Sequence, residues 1–442
     1  MLKNDLKLYI SIYNSMQSEI FEILDNIFLV PNLEQNYIKE LVSLIKEQLK
    51  PLYNQKLRYK LKPSLLKKHI YKYLQKKYNL SKELIDLSKI PQPEQRTQAW
   101  HDFRNNKITA SSAAKIIGWN PHSTRRAYLQ EKLGLSKPFR GNKFTLHGTK
   151  FEQVATTCYE LRNNLIIFEF GSIPHPKYDF IAASPDGISN NEPIMLEIKV
   201  PPRRQIKDDE IPTEYQVQMQ LQLEVANLEK CDFLQMRIDN IEEEEYYSNN
   251  DDDLLLNELG LEKGFIIIGK MNNSFKEEYL YPDRESFRSF SKMEEWKDYI
   301  FDLYKNKYDK LYINYWSCKQ YSVQRVYRDK EFFEEHLPEF QRFWDEILKY
   351  RKEGIPEDLY PRNYNNDEEE YINHSKICTI ETSSDDDEDN NNKQKKCTIE
   401  TSSDDDEDNN NKKKCTIETS SDDDEDNSYV KCSDNTLIEI DI

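Results

Sequence analysis

The chain has 442 residues and a mass of 52.9 kDa, which is long enough for two or three domains and excludes a mini-protein held together by disulfides or metals. The formal net charge is −18, but residues 365–442 hold 25 acidic and 8 basic residues, so the other 54 basic and 55 acidic residues nearly balance. The overall acidity therefore does not exclude binding of nucleic acid by residues 1–364.

The short apolar runs and scattered cysteines argue against a membrane-spanning, secreted, disulfide-rich or zinc-binding protein. The run from Phe265 to Ile268 has four residues, far short of the roughly 20 needed to span a bilayer. The N-terminal sequence MLKNDLKLYI lacks a secretory apolar region. The seven cysteines lack C-x-x-C spacing and predict neither a disulfide framework nor a zinc or iron–sulfur site. We therefore expect a soluble, intracellular protein without a membrane partner.

Residues 1–94 predict a helical N-terminal domain. Leu, Ile, Tyr and Phe recur at helical spacing in LYISIYNSMQSEIFEIL and YIKELVSLIKEQL, and prolines separate the segments. The stretch from Lys56 to Lys77 interleaves lysines with tyrosines. A solvated helix face is the favoured interpretation of this stretch, and a phosphate-contacting surface is the alternative.

Residues 95–365 predict a mixed α/β domain, because the apolar period changes repeatedly. A helix is expected to begin near Ala110 with Thr109 or Ser111 as its cap, and FTLHGTKFEQVATTCYELRNN predicts a second helix. Short β-rich runs follow, then the helix TEYQVQMQLQLEVAN, the strand CDFLQMRI and, after an acidic insertion near 242–258, the strand KGFIIIGK. Residues 275–360 are expected to be mostly helical.

The segment DFIAASPDGISNNEPIMLEIKV predicts a β-hairpin that carries reactive side chains. A turn at 189–192 would pair Asp186 with Met195 and place the side chains of Asp186, Glu197 and Lys199 on one face. Two carboxylates beside a buried strand are costly unless a cation compensates them, and Mg²⁺ prefers such oxygen ligands. Taken alone, an ordinary hairpin with a surface Glu and Lys explains the pattern better.

Neighbouring segments strengthen the functional interpretation. Glu152 lies early in the helix before the hairpin, while Tyr215, Gln218 and Gln222 follow it at helical spacing. Upstream of all of them, Arg104 stands just before the helix expected near Ala110. A helix N-terminus flanked by an arginine is a natural phosphate cradle.

Residues 99–270 resemble the YqaJ-type viral recombinases, the phage lambda exonuclease group of the PD-(D/E)xK nuclease superfamily. Four blocks in family order carry the resemblance: WHDFRNNKITAS from Trp100 to Ser111, SPDG, LEIK, and Y-x-x-Q at Tyr215 and Gln218. The resemblance implies an α/β, restriction-endonuclease-like fold in which a mixed β-sheet is flanked by helices.

Matched by position, the family's metal ligands fall on the hairpin. The resemblance implies that Asp186 and Glu197 are the main Mg²⁺ ligands, with the backbone carbonyl of Ile198 and the carboxylate of Glu152 completing the shell. It further implies that Mn²⁺ can substitute for Mg²⁺. Metal-assisted hydrolysis of a phosphodiester uses this donor set.

The resemblance also implies roles for the other matched residues. Lys199 would orient or activate the attacking water or neutralise charge in the transition state, and Gln218 would hold the site or the scissile strand. Arg104 and Ser111, with Thr109 beside them, would bind the 5′-phosphate of the degraded strand.

Two arginines outside the matched motifs are additional phosphate candidates. Arg203 and Arg204 follow directly after the strand that carries Glu197 and Lys199. Their position at the end of this strand would let them contact the DNA backbone close to the scissile bond.

The expected function is that of a Mg²⁺-dependent DNA nuclease, a 5′→3′ double-strand exonuclease in viral DNA recombination or genome processing. Double-stranded DNA and a single-strand annealing protein are the implied partners, and the host cytoplasm or the virion the implied location. Ring-shaped homo-oligomers occur in the family. The regions of this chain outside the matched blocks leave its oligomeric state open. A structure-specific endonuclease and a non-catalytic DNA-binding or assembly protein are the alternatives.

The segment 366–442 repeats CTIETSSDDDED three times. Each repeat offers one Ile and no apolar face, so we expect a disordered acidic tail. Six serines before the acidic runs match the pattern of acidophilic kinases: Ser383, Ser384, Ser402, Ser403, Ser420 and Ser421. An unmodified, solubilising tail is equally compatible with the sequence.

Overall fold

The computed structural model describes residues 17–25, 32–49, 63–93, 95, 97–136, 141–248, 253–271 and 277–361, and four short strands between 396 and 439. Contacts divide the chain into two units, Met1–Tyr360 and Pro361–Ile442. No helix in these ranges is long and apolar enough to cross a membrane.

Helices of the first unit surround a sheet. Apart from the helical residues 17–25, the α-helices are α1 (Gln35–Leu49), α2 (Pro63–Tyr78), α3 (Lys82–Ser88), α4 (Gln98–Asn105), α5 (Ala113–Ile116), α6 (Arg125–Lys132), α7 (Lys143–Asn163), α8 (Thr213–Ala226), α9 (Glu243–Tyr247), α10 (Phe290–Tyr304) and α11 (Lys330–Glu353). Thr97 caps α4 by accepting a hydrogen bond from the Trp100 N–H, and Asn142 caps α7 with a capping box. Local sequence therefore fixes where both helices begin.

The strands form two sheets. They are β1 (Ile108–Thr109), β2 (Ile167–Phe168), β3 (Ile173–Pro174), β4 (Ile181–Ala183), β5 (Gly187–Ser189), β6 (Met195–Lys199), β7 (Lys230–Asn240), β8 (Lys263–Lys270), β9 (Glu277–Leu280) and β10 (Lys310–Tyr327). The larger sheet has the order β2-β5-β6-β7-β10-β8-β9, and the smaller one β1-β4-β3. In the larger sheet β6 and β7 are parallel and the other pairs antiparallel. The predicted mixed sheet flanked by helices is confirmed.

The region 275–360 differs from the sequence prediction of mostly helix. It contains β9 and the 18-residue strand β10 as well as α10 and α11. β10 pairs along its length with β7 and β8, and its buried residues include Trp316 and Cys318. Aromatic and β-branched residues favour strands, and these pairings bury them more fully than a helical layer would.

The N-terminal helices contact the hairpin formed by β5 and β6. The Ser81 N–H donates to the Asn190 carbonyl at 2.7 Å, and the Asn190 side chain donates to the Tyr78 carbonyl at 2.7 Å. The Tyr78 and Phe168 rings lie 6.0 Å apart. The boundary near residue 94 stays a prediction, and the helices before it are joined to the sheet by these contacts.

The acidic C-terminal segment is described only at four short strands. Lys396–Cys397 pairs with Cys415–Thr416, and Tyr429–Lys431 pairs with Leu437–Glu439. These short pairings are the part of the segment predicted to be disordered that the structure describes. The rest of the disorder prediction and all six candidate phosphorylation sites lie outside the described residues.

Candidate active site

The hairpin carries the two carboxylates predicted from sequence, in a different register. Gly187 pairs with Leu196 and Ile188 with Met195, so Asp186 stands beside Glu197 and not opposite Met195. The predicted register was wrong by two residues. Because side chains alternate with a period of two, a shift by two keeps the predicted face.

The shift in register follows from the residues of the turn. The predicted pairing would place Pro193 opposite Ile188, but proline has no N–H to donate to the ladder. Instead the Ser189 N–H donates to the Ile194 carbonyl at 3.0 Å, and the Ile194 N–H donates to the Ser189 hydroxyl at 3.0 Å. The Asn190 side chain accepts the Ile166 N–H at 3.1 Å, which fixes the turn against the neighbouring strand.

Asp186 directly precedes β5 and is partly buried. Its Oδ2 accepts the Ile198 N–H at 2.6 Å, so the backbone of β6 holds this carboxylate. Burial, followed by the negative charges of Glu197 and Glu152, raises the pKa of Asp186 well above its usual range. The negative charge of these neighbouring carboxylates at Asp186 makes a site that attracts a cation.

Glu197 is almost completely buried, at 1 % exposure, and hydrogen bonds from α8 hold both of its oxygens. The Gln218 Nε2 donates to its Oε1 at 2.8 Å, and the Gln222 Nε2 donates to its Oε2 at 2.8 Å. Residues four positions apart lie on one helix face, so a single helix fixes the carboxylate. The sequence predicted this spacing but gave no role to Gln222.

Gln222 also connects two motifs. Besides Glu197, its Nε2 donates to the Ser184 carbonyl at 3.2 Å, and Ser184 opens the SPDG block. The Gln222 Oε1 is buried and has no hydrogen-bond partner among the residues that the structure describes. The amide thus joins the loop that carries Asp186 to the strand that carries Glu197.

Lys199 forms an ion pair with Glu197 inside the site. Its Nζ also lies 4.9 Å from the centre of the Tyr215 ring, a cation–π distance. Burial disfavours the charged amine, but the carboxylates of Glu197 and Asp186 outweigh burial and raise the pKa of Lys199 above its usual range. Lys199 is therefore a charged group at neutral pH, suited to stabilising negative charge.

The chemistry of these donors fits Mg²⁺, although they do not form a ready-made cluster. Glu152 and Asp186 line the same cleft, whose volume is about 300 Å³, and Glu197 interacts electrostatically with Asp186. Among the described residues, no three His, Cys, Asp or Glu side chains are arranged to hold a metal. The glutamines and Lys199 engage the oxygens of Glu197, which must reorient to bind an ion. The ligand role of the Ile198 carbonyl stays a prediction.

The segment after α4 does not form the helix expected to begin at Ala110. Ile108 and Thr109 pair with Ile181 and Ala182 of β4 as parallel strands. A 3₁₀ turn and the four-residue helix α5 follow, and the Thr109 side chain makes no cap hydrogen bond. The chain thus becomes helical at Ala110 as a 3₁₀ turn, and the α-helix begins three residues later than expected, at Ala113.

Arg104 connects the predicted phosphate pocket to the SPDG loop. Its guanidinium donates to the Ser184 hydroxyl at 3.3 Å and to the Ser111 hydroxyl at 3.4 Å, and lies 4.3 Å from the Trp100 ring centre. The Thr109 hydroxyl is 3.4 Å from that of Ser111. The structure thus brings together the three residues predicted to bind phosphate. Ser184 joins them through tertiary contact, which no sequence motif indicated.

Of the two arginines after β6, one is fixed close to the site. The Arg204 guanidinium donates to the Gln235 Oε1 at 2.7 Å and lies 5.7 Å from the Tyr215 ring centre. Arg203 is exposed. Their contact with a DNA backbone stays a prediction.

Lys132 makes a pH-dependent contribution to stability. Burial, with the nearby cations Arg104, Arg351 and Lys115 and opposed by Glu131, lowers its pKa from 10.5 to about 8. Between these values the unfolded chain keeps a proton that the folded protein has lost, so the free energy of unfolding rises with pH. Between pH 8 and 10.5, the free energy of unfolding of the unmodified protein should rise by roughly 2 kcal/mol relative to that of Lys132→Met. Urea unfolding of both proteins at several pH values measures this, and equal pH slopes would contradict it.

Comparison with known proteins agrees with the motifs. Residues 99–229 match the family model of the YqaJ-like viral recombinase domain, so the resemblance inferred from sequence is confirmed over this range. The match contains the hairpin, α8 and the Arg104 pocket. It does not include α1 to α3, β8 to β10 or α11.

The curated relatives are viral proteins. "Uncharacterized protein R354" of Acanthamoeba polyphaga mimivirus is 32% identical over 300 residues, covering 60% of this chain and 54% of that protein. Protein D345L of African swine fever virus is 29% identical over 158 residues, covering 29% of this chain and 45% of that protein. The chain thus spans about half the length of these relatives.

Solved structures with detectable similarity include two exonucleases. An alkaline exonuclease, LHK-Exo, from Laribacter hongkongensis is 19% identical, with a TM-score of 0.35 and coverage of 62% of this chain and 100% of that one. A phage related exonuclease from Haemophilus somnus 129PT is 15% identical, with a TM-score of 0.31 and coverage of 56% and 96%.

Proposed function

We propose that this chain is a viral, Mg²⁺-dependent deoxyribonuclease that degrades double-stranded DNA from 5′ ends during recombination or genome processing. The observation that carries the proposal is a continuous hydrogen-bonded connection between two sites. Arg104 contacts Ser184, whose carbonyl accepts from Gln222, and Gln222 holds Glu197. A terminal-phosphate pocket and a carboxylate–lysine site are thereby fixed relative to each other.

The carboxylates supply the chemistry of hydrolysis. Mg²⁺ bound by Asp186, Glu197 and Glu152, with Mn²⁺ as a substitute, would lower the pKa of a bound water and neutralise charge on the phosphate. Asp186 is already oriented by the Ile198 N–H. Glu197, which pairs with Lys199, would hold the ion together with Asp186, and Lys199 would lie beside the scissile phosphate.

Lys199 and Gln218 orient the reactants. The Lys199 amine, packed against Tyr215, donates hydrogen bonds to the attacking water or to a phosphoryl oxygen and stabilises charge that develops in the transition state. Gln218 would keep the Glu197 carboxylate in place or contact the scissile strand. Gln218 and Lys199 both contact Glu197, so both side chains lie at the site before substrate binds.

The Arg104 pocket determines where cleavage begins. A terminal phosphate carries about 1.5 to 2 negative charges at neutral pH, and charge-assisted hydrogen bonds from a guanidinium recognise it well. With the 5′-phosphate on Arg104 and Ser111, the loop from Ser184 to Asp186 would connect the bound end to the carboxylates. This arrangement favours removal of nucleotides from an end over cleavage at internal sites.

The test compares DNA with phosphorylated and hydroxyl 5′ ends. We expect 5′-phosphorylated duplexes to be degraded about 10-fold faster or more, and Arg104→Ala to reduce this ratio towards one, because its charge-assisted hydrogen bonds are lost. Arg288→Ala, which removes an exposed arginine paired with Glu285, serves as control and should keep the ratio. Equal rates on both ends in the unmodified protein, with cleavage of covalently closed circles, would favour a structure-specific endonuclease.

A further inference from the structure

The phosphate pocket is built at the C-terminal end of a helix, which is unfavourable for an anion. Arg104 lies in the last turn of α4, which ends at Asn105. The last carbonyls of a helix lack partners within it and carry the negative end of its dipole. The Arg104 carbonyl accepts the Lys107 N–H at 3.1 Å, but the negative end of the helix dipole would still weaken phosphate binding unless positive charge lies beside it.

Two basic side chains from other helices cover this end. The Lys132 amine of α6 donates to the Arg104 carbonyl at 2.7 Å. The Arg351 guanidinium of α11 donates to the Asn105 carbonyl at 3.2 Å and to the Asn106 Oδ1 at 3.1 Å. Arg351 also donates to the Lys132 carbonyl at 3.0 Å. One guanidinium therefore ties the end of α4 to the end of α6.

Arg351 is itself held in place by packing. Its guanidinium lies 5.7 Å from the Trp344 ring centre. On the same helix, the Phe343 ring stacks on Tyr128 at 5.3 Å with an interplanar angle of 6°. The buried aromatic face of α11 thus fixes the helix against α6, and the guanidinium reaches α4 from a rigid base.

The resulting cluster has an excess of positive charge. Arg104, Arg351 and Lys115 each act electrostatically on Lys132, and Glu131, which also pairs with Lys115 at 3.4 Å, is the carboxylate that offsets them. Burial lowers the pKa of Arg104 as well, so the cluster keeps its charge at a cost. A ligand with more than one negative charge would stabilise these charged side chains more than a phosphodiester with a single charge.

We propose that Arg351, acting with Lys132, is a positioning residue that makes the Arg104 pocket selective for a terminal phosphomonoester. By covering the carbonyls of α4, the two cations hold the turn that carries Arg104 and remove negative charge near the phosphate. This inference rests on the proposed function. It assigns part of end recognition to α11, a helix outside the matched range 99–229.

The experiment measures rates on 5′-phosphorylated and 5′-hydroxyl duplexes under Mg²⁺. Arg351→Met should lower the ratio of these rates at least threefold, mainly by raising KM on phosphorylated ends. Arg351→Lys should restore part of the ratio, because one of the lost donors returns. Arg342→Met, which removes an exposed arginine of the same helix, should retain the ratio. Affinity for both kinds of end, measured by fluorescence anisotropy without Mg²⁺, gives a second readout.

Three other results would contradict the role of Arg351 or the proposed end recognition. An unchanged ratio in Arg351→Met, alongside a lost ratio in Arg104→Ala, overturns the role of Arg351 while leaving end recognition intact. An equal loss of rate on both ends with a lower melting temperature means that Arg351 only supports the fold, which also overturns the inference. Equal rates on 5′-phosphorylated and 5′-hydroxyl ends in the unmodified protein would refute the proposed end recognition itself.

Discussion

Asp186→Ala and Glu197→Ala should each abolish DNA cleavage, a loss of more than about 10³-fold, while DNA binding is retained. Each variant removes an oxygen ligand that the proposed Mg²⁺ needs, and preorganised electrostatic groups of this kind contribute about 10²–10³-fold even singly. The basic groups that we propose to bind the DNA backbone stay in place. Cleavage of end-labelled linear DNA with and without Mg²⁺, together with a filter-binding assay, measures both effects.

The environment of Glu197 requires a second pair of variants. Glu197→Ala leaves the buried Lys199 and two glutamines without their acceptor, which destabilises the fold. Glu197→Gln and Asp186→Asn keep the volume and a hydrogen-bonding oxygen, so a comparable loss of cleavage in these variants separates chemistry from folding. Glu192→Gln, at the exposed tip of the same hairpin where it pairs with Lys230, is the matched control. Mg²⁺-dependent cleavage at an undiminished rate in any Asp186 or Glu197 variant would rule out the site.

Lys199→Ala should reduce turnover by at least about 10²-fold, with little change in DNA affinity. The charged amine faces Glu197 and Tyr215, where loss of one preorganised electrostatic group has this effect. Single-turnover kinetics at saturating enzyme measures the chemical step separately from binding.

A second substitution controls for packing around Lys199. Lys199→Met retains most of the buried aliphatic volume, so both variants should lose turnover to a similar degree. Lys230→Met, which removes an amine paired with Glu192 outside the site, should retain full turnover. A change of less than threefold in both Lys199 variants would exclude this lysine from the mechanism.

The sequence predicted the reactive residues because their relation is local. Asp186, Glu197 and Lys199 lie within 14 residues of one hairpin, and a period of two places them on one face in any register shifted by an even number. The register itself depended on Pro193 and on the partners of Asn190, and only tertiary contacts supply those partners.

Other parts of the site depend on contacts between distant segments, which a single sequence does not reveal. Ser184 meets Arg104 across 80 residues, and Arg351 reaches Asn105 across 246 residues. The strand β10 was missed for a related reason, because its aromatic residues suit a helical layer as well as a sheet. Its pairing with β7 and β8 decided between the two.

The tip of the catalytic hairpin has a consequence for where this chain accepts change. The sequence SNNEP has the composition of a loop that tolerates insertions or tags. Asn190, however, bonds to Ile166, Tyr78 and Ser81 at once, so the tip is a three-way junction between the sheet and the N-terminal helices. Residues added there would separate the helices from the sheet and displace the strand that carries Glu197. The loop from Ser189 to Glu192 is therefore a poor place for an insertion or a tag, although its composition suggests the opposite.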